Sequence, residues 1–291
     1  MRAVLYFFAV GLGLSSITAC TTIIEERNFI RPDKLSGFKS EQTFNASTLP
    51  PSATIEEQTI KTENGIELKG LRVHQPGAIA TVLYFGGNMF HIDDHATRVL
   101  PILSGCGVNS EVFDYRGYGR SQGEPTIANM KSDALRIFDF VNAQNPGKVI
   151  VHGQSLGSFM AAYVAQQRPA LGMVLESTAT NAQDWANANM PWYARPFLSI
   201  EMSAALREID NTLAVSNYAG GSLVMVGDDD KTTPPELGKK VFDAIPSSTK
   251  KMLTIAGAGH NGVLAHPDTA PAYCDFIAKL MNGNKDTKKD Q

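Results

Sequence analysis

Residues 148–152 read as a short buried strand and residues 156–166 as a helix, with only Gly153-Gln154-Ser155 between them. So abrupt a passage from strand to helix constrains everything around it. The turn must be sharp, its flanking residues small, and the strand must belong to a sheet covered by helices. Gly153 and Gly157 flank Ser155 in the pattern Gly-x-Ser-x-Gly, which suits a turn that lifts a serine hydroxyl into a cleft. The pattern recurs as Gly119-Arg120-Ser121-Gln122-Gly123, but there Glu124-Pro125 prevents a helix from starting at once. Context therefore selects Ser155 as the nucleophile and leaves Ser121 as a loop residue.

The rest of the chain keeps the same rhythm. Strands are predicted at 66–71, 80–85, 108–115, 171–176, 223–226 and 252–255, and helices at 93–103, 127–141 and 270–281. Alternation of this kind predicts an α/β fold, with a mainly parallel central sheet and helices on both faces. The repeating pattern occupies residues 54–282, with a polar tail at 283–291. One stretch, residues 178–221, is far longer than the usual 2–6-residue connection. It carries Trp185, Met190, Trp192, Tyr193 and Phe197, and is expected to form a cap over a site at the strands' C-terminal ends, with Trp185 and Trp192 lining an apolar pocket.

A serine hydroxyl needs an adjacent base. His74, His91, His95 and His152 precede Ser155, and His152 reads as structural at the end of its strand. His260 follows the last strand in a Gly-rich loop, at the correct end of the sheet; His266 precedes Pro267 and reads as opening the final helix. The His260 loop also spells Gly-x-Gly-x-x-Gly, but too little chain follows for the βαβ unit that a dinucleotide site needs. The acid that orients the base should follow the strand at 223–226, where Asp228, Asp229 and Asp230 stand. Thr233-Pro234-Pro235-Glu236 reads as a capping box with proline at the first helical position, which puts Asp230 at the loop's inward return. Two backbone amides should hold an oxyanion: that of Leu156, and that of Gly87 or Asn88 in the loop after the strand at 80–85.

The N-terminus is a separate object. Arg2, an apolar run over 3–14, and then Ile17-Thr18-Ala19-Cys20 have the layout of a signal peptide spanning 1–19. The four-residue ending resembles the lipobox of bacterial lipoproteins, in which the cysteine is acylated and becomes residue one. That resemblance implies lipidation at Cys20 and a membrane partner through the N-terminal lipid. Thr21 after it implies the outer membrane, facing the periplasm. Residues 20–53 are polar and irregular and are predicted to be a tether, spanning about 30 Å if fully flexible, with packing of part of it on the domain as the alternative. The net charge of −3, with no basic block beyond Lys288-Lys289, argues against a nucleic-acid partner, which needs a clustered basic face.

Phe85-Gly86-Gly87-Asn88, Asp114-Tyr115-Arg116-Gly117-Tyr118-Gly119-Arg120-Ser121, Gly153-Gln154-Ser155-Leu156-Gly157, Gly227-x-x-Asp230-x-x-Thr233-Pro234 and Gly259-His260 resemble, in order and spacing, the motifs of serine α/β-hydrolases. The branch most similar contains bacterial hydrolase lipoproteins and depalmitoylase-like proteins; its members usually carry a histidine in the loop that reads Phe85-Gly86-Gly87 here. The resemblance implies a triad of Ser155, Asp230 and His260, and hydrolysis of a small-molecule acyl ester or thioester through an acyl-enzyme. No metal-ligand pattern such as His-Glu-x-x-His occurs, so neither metal nor other cofactor is expected. Peptidase activity on the same triad, and a non-catalytic envelope binding module, are the alternatives. With Cys20 acylated, Cys106 and Cys274 remain. The fold resembled puts their helices on one face of the sheet, leaving a disulfide or two buried thiols as open readings.

Overall fold

The computed structural model of the protein describes residues 20–40 and 42–286. The signal-peptide reading of 1–19 lies outside the described residues. The strands are β1 Cys20–Ile24, β2 Thr54–Lys61, β3 Glu67–His74, β4 Thr81–Phe85, β5 Asn109–Phe113, β6 Val149–Gln154, β7 Gly172–Glu176, β8 Leu198–Met202, β9 Gly221–Gly227 and β10 Lys250–Ile255. The helices are α1 Glu26–Phe29, α2 Asp33–Ser36, α3 Ile92–His95, α4 Leu100–Gly105, α5 Ile127–Gln144, α6 Leu156–Gln167, α7 Ala182–Asn189, α8 Asn211–Val215, α9 Pro235–Ala244 and α10 Thr269–Asp286.

Eight strands form the central sheet in the order β10-β9-β7-β6-β4-β5-β3-β2. β2 and β3 join antiparallel, and every pairing from β5 to β10 is parallel. The apolar runs follow from burial on both faces. Alternate residues divide between two cores: Leu83, Phe85, Val149 and Val151 pack under α5 and α6, while Val82, Tyr84, Ile150 and Val174 pack under α4 and α10. Helix α6 is buried almost all round, which is why its sequence Leu156-Gly157-Ser158-Phe159-Met160-Ala161-Ala162 shows no polar stripe.

Three expectations change. The helix expected over 93–103 is broken into α3, a 3₁₀ turn at Ala96–Arg98 and α4. Pro101 is the cause: it has no N–H to donate back into the preceding turn, so the helix restarts with proline in its first turn. Helix α10 runs on to Asp286, past the expected end of the domain. The largest change concerns residues 20–53, where packing on the domain prevails over a free tether. β1 pairs in parallel with β8, Cys20 opposite Leu198. Ile30 is buried in the main core, Phe29 packs edge-on against Trp185 with ring centroids 5.4 Å apart, and Phe38 stacks on His91 at 3.8 Å. Asp33 accepts from the Gly119 amide at 2.8 Å and lies 2.6 Å from His91 Nε2.

On the face shared by α4 and α10, Cys106 and Cys274 are joined by a disulfide, with Cα atoms 4.9 Å apart across 168 residues of sequence.

Candidate active site

The turn after β6 explains its two glycines. A Cβ on Gly153 would lie 2.2 Å from Gly157 O, and one on Gly157 only 2.0 Å from Phe85 O, so neither position accepts a side chain. Between them Ser155 sits at φ 52° and ψ −117°, a conformation that non-glycine residues seldom adopt. Its amide donates to Glu176 O at 2.9 Å, which anchors the turn to β7. Strain held this way by its surroundings is a mark of functional turns.

Two loops meet beside it. After β9, Gly227 allows the Asp228–Asp230 turn to lie against the loop after β10; a Cβ there would meet Ala258 O at 2.1 Å. Asp228 accepts from the Gly257 amide at 2.6 Å, and the Asp229 amide donates to Ala258 O at 3.1 Å. His260 O accepts from Ser177 Oγ at 3.0 Å. The structure thereby brings Ser155, His260 and Asp230 together: His260 Nε2 lies 2.9 Å from Ser155 Oγ and Nδ1 2.9 Å from Asp230 Oδ2. With Nδ1–H directed at the carboxylate, Nε2 is left to accept the serine proton.

Burial pushes the Asp230 carboxyl up. The hydrogen bond with His260, those from Thr233 and the attraction of the imidazole outweigh it, so the carboxyl ionises below the usual aspartate range. Its other oxygen accepts from the amides of Thr232 and Thr233 at 2.9 and 2.8 Å.

The neighbouring candidates stand elsewhere. Asp228 holds Gly257, and Asp229 pairs with exposed Lys231. Ser121 donates to Asp114 O at 2.7 Å and accepts from the Lys69 amide at 2.9 Å, so its hydroxyl is a loop brace. His152 is buried between Tyr273 and Glu176, and His266 lies in the turn before α10, its Nδ1 accepting from the Asp268 amide. The amides of Gly87, Asn88 and Leu156 have no protein acceptor among the described residues. Leu156 and Asn88 both line the cleft that contains Ser155. A Cβ built on Gly87 would lie 3.4 Å from Ser155 Cβ.

The expectation that Thr233 caps a helix is corrected. Helix α9 begins one residue later, behind Pro234 and without a side-chain cap. The Thr233 hydroxyl turns inward instead, 2.8 Å from Asp230 Oδ2, 2.9 Å from Ser177 O and 3.0 Å from His260 Nδ1. Trp192 is corrected too: Trp185 lines the cleft, but Trp192 is 79% exposed and does not. Phe29 and Arg31, read as tether, line it instead. Asn88 holds them there, its amide donating to Phe29 O at 2.7 Å and its carbonyl accepting from the Arg31 amide at 3.1 Å.

The cleft measures about 270 Å³, walled by Phe29, Leu156, Phe159 and Trp185 with Arg31 as its cation. A larger cavity of about 690 Å³ between residues 25–35 and 117–126 has no serine, cysteine or histidine in its lining. Chemistry therefore points to the smaller one.

A family profile described as serine aminopeptidase, S33, matches residues 77–219. An esterase of Pyrococcus furiosus superposes with a TM-score of 0.64 at 17% identity, covering 79% of this chain and 94% of that one. The chain has the α/β-hydrolase fold, and the profile match supports a place in the serine α/β-hydrolase superfamily. Mouse α/β-hydrolase domain-containing protein 10 shares the fold of this hydrolase with a TM-score of 0.63 at 18% identity, over 78% of this chain and 99% of that one. In sequence, the hydrolase is 27% identical over 223 residues to an uncharacterized protein of Mycobacterium tuberculosis, covering 74% of this chain and 75% of that protein. It is 26% identical over 228 residues to the bovine lysophosphatidylserine lipase ABHD12, covering 70% of this chain but only 57% of the lipase.

Proposed function

We propose that the protein hydrolyses carboxylic esters or thioesters of apolar acyl groups through an acyl-enzyme. The observation that carries this reading is the unbroken relay at 2.9 Å from Ser155 Oγ to His260 and 2.9 Å from His260 to Asp230, opening on an apolar cleft. Ser155 Oγ attacks the acyl carbon as its proton passes to His260 Nε2. Asp230 holds the imidazole tautomer and stabilises the imidazolium. The amides of Leu156 and Asn88, with Gly87 beside them, donate to the acyl oxygen and stabilise the charge that develops on it. His260 then returns the proton to the departing alcohol or thiol, and water releases the acid by the same steps.

Peptide hydrolysis is the second reading, favoured by the description of the matching family. The cleft argues for esters. An aminopeptidase must bind an α-ammonium group, whereas the lining carries Arg31 and no carboxylate among the described residues. An arginine lining the same cleft as the nucleophile suits a substrate with an anionic group, such as a monoacyl phospholipid, and relatives are named as lysophosphatidylserine lipases. Labelling with a fluorophosphonate probe, followed by a panel of ester, thioester and aminoacyl substrates, tests this. Labelling elsewhere than Ser155, or turnover of the aminoacyl substrates alone, refutes it.

The same proposal includes lipidation at Cys20 and an outer-membrane location. The disulfide supports a compartment outside the reducing cytoplasm. Incorporation of labelled palmitate that is lost in Cys20→Ser is the test.

A further inference from the structure

The segment between α7 and β8 presents three aromatic side chains to solvent: Trp192 at 79% exposure, Tyr193 at 64% and Phe197 at 55%. Globular proteins do not usually group large aromatics so openly without a partner for them. Within Met190-Pro191-Trp192-Tyr193-Ala194-Arg195-Pro196-Phe197 the only charged residue is the exposed Arg195. The position of this patch in the fold suggests its partner. Phe197 immediately precedes Leu198, which pairs with Cys20 in the parallel β1–β8 ribbon. Adjacent strands lie about 5 Å apart, so the residue that would carry the lipid emerges beside the aromatics.

We infer that Trp192, Tyr193, Phe197 and Arg195 form a membrane-contact face that settles into the headgroup layer next to the lipidated Cys20. This rests on the lipoprotein reading of Cys20. The chemistry of the four side chains matches that layer: tryptophan and tyrosine concentrate at membrane interfaces, where an apolar ring and a polar tip are both satisfied, and arginine pairs with lipid phosphate. Acyl chains on Cys20 supply the affinity; the aromatic face supplies orientation. β1 leads directly into α1, which carries Phe29, and α7, which carries Trp185, leads directly into the patch. Both walls of the cleft are thus continuous with the face that meets the lipid, and an acyl substrate would enter from the bilayer.

The chain has two tryptophans, which makes the test site-specific. Full-length Trp185→Phe protein, purified with its lipid and reconstituted into vesicles of phosphatidylethanolamine and phosphatidylglycerol, leaves Trp192 as sole reporter. A far-UV circular dichroism spectrum and a thermal midpoint matching those of the parent establish that the variant is folded. Flotation with the vesicles, a blue shift of Trp192 and quenching by lipids brominated high on the acyl chain are the expected results. A protein that floats while Trp192 stays water-exposed and unquenched overturns the contact face and leaves lipidation intact. A protein that does not float overturns both. A blue shift that appears without vesicles and grows with protein concentration assigns the patch to a second copy of the chain and overturns the membrane.

Discussion

Glu111 offers a test of the energetics that hold the sheet. It lies on β5, fully buried, and its two carboxylate oxygens have no hydrogen-bond partner among the described residues. Arg72 Nε is 3.6 Å away. Burial pushes the Glu111 carboxyl from 4.5 up to about 7, against the pull of Arg72 and with a small push from Glu56. At about 1.4 kcal/mol per pH unit, keeping Glu111 ionised in the folded chain costs about 3 kcal/mol. The sign follows from the raised value. The folded state holds a proton that the unfolded chain releases, so this contribution to stability is complete below about pH 4.5 and is lost as pH rises through 7. Glu111→Gln does not titrate and keeps the shape. Arg72 retains its hydrogen bond to Gln144. Near pH 4.5 the two proteins should differ by less than about 0.5 kcal/mol, and at pH 8 the variant should be the more stable by up to about 3 kcal/mol. Urea denaturation of both proteins at the two pH values, disulfide intact, measures this. An equal difference at both, or a variant less stable at pH 8, would refute the argument.

Ser155→Ala should abolish turnover and fluorophosphonate labelling, while Ser121→Ala should leave both intact; strong labelling of the first variant would move the nucleophile. Asp230→Asn should lower kcat by about 10⁴-fold through the wrong imidazole tautomer, and Asp228→Asn should be mild by comparison in the same assay. Thr233→Val removes a hydroxyl shared by Asp230 and His260, and should cost roughly tenfold to a hundredfold in kcat with KM little changed; an effect on KM alone would assign it to substrate binding. Cys106→Ser opens a loop of 168 residues and should lower stability by as much as about 5 kcal/mol by chain entropy. Denaturant midpoints compare it with the oxidised parent, and an unchanged midpoint would contradict the entropic account.

The parts of this fold legible in the sequence are those set by local pattern. Val149-Ile150-Val151 and Leu223-Val224-Met225-Val226 are apolar on both faces because helices cover both; Ser155 and Asp230 follow these two strands, and His260 follows the half-exposed edge strand β10, in a fixed order. What could not be read depends on contacts between distant segments. Phe29-Ile30 and Leu49 are scattered apolar residues in a polar stretch with no periodicity, so nothing local distinguishes a packed strap from a tether. The pairing of β1 with β8 joins segments almost 180 residues apart. Thr233 satisfied a helix-cap pattern, yet the pull of Asp230 and Ser177 prevails over the helix end. The crowd of aromatics at 185–197 suggested a cap, but composition cannot say which rings face inward, and Trp185 and Trp192 point to opposite fates.

The bridge between Cys106 and Cys274 has a consequence for how the chain matures. Its three cysteines permit three pairings, and only one matches the folded protein. Acylation of Cys20, proposed above, would remove two of the three before oxidation begins. Cys106 would then wait for the last helix to be exported, and no shuffling enzyme would be needed to correct an error. Ser155, Asp230 and His260 all lie inside the covalent circle that closes at that moment. A cut anywhere within it would leave the two fragments of the hydrolase still joined.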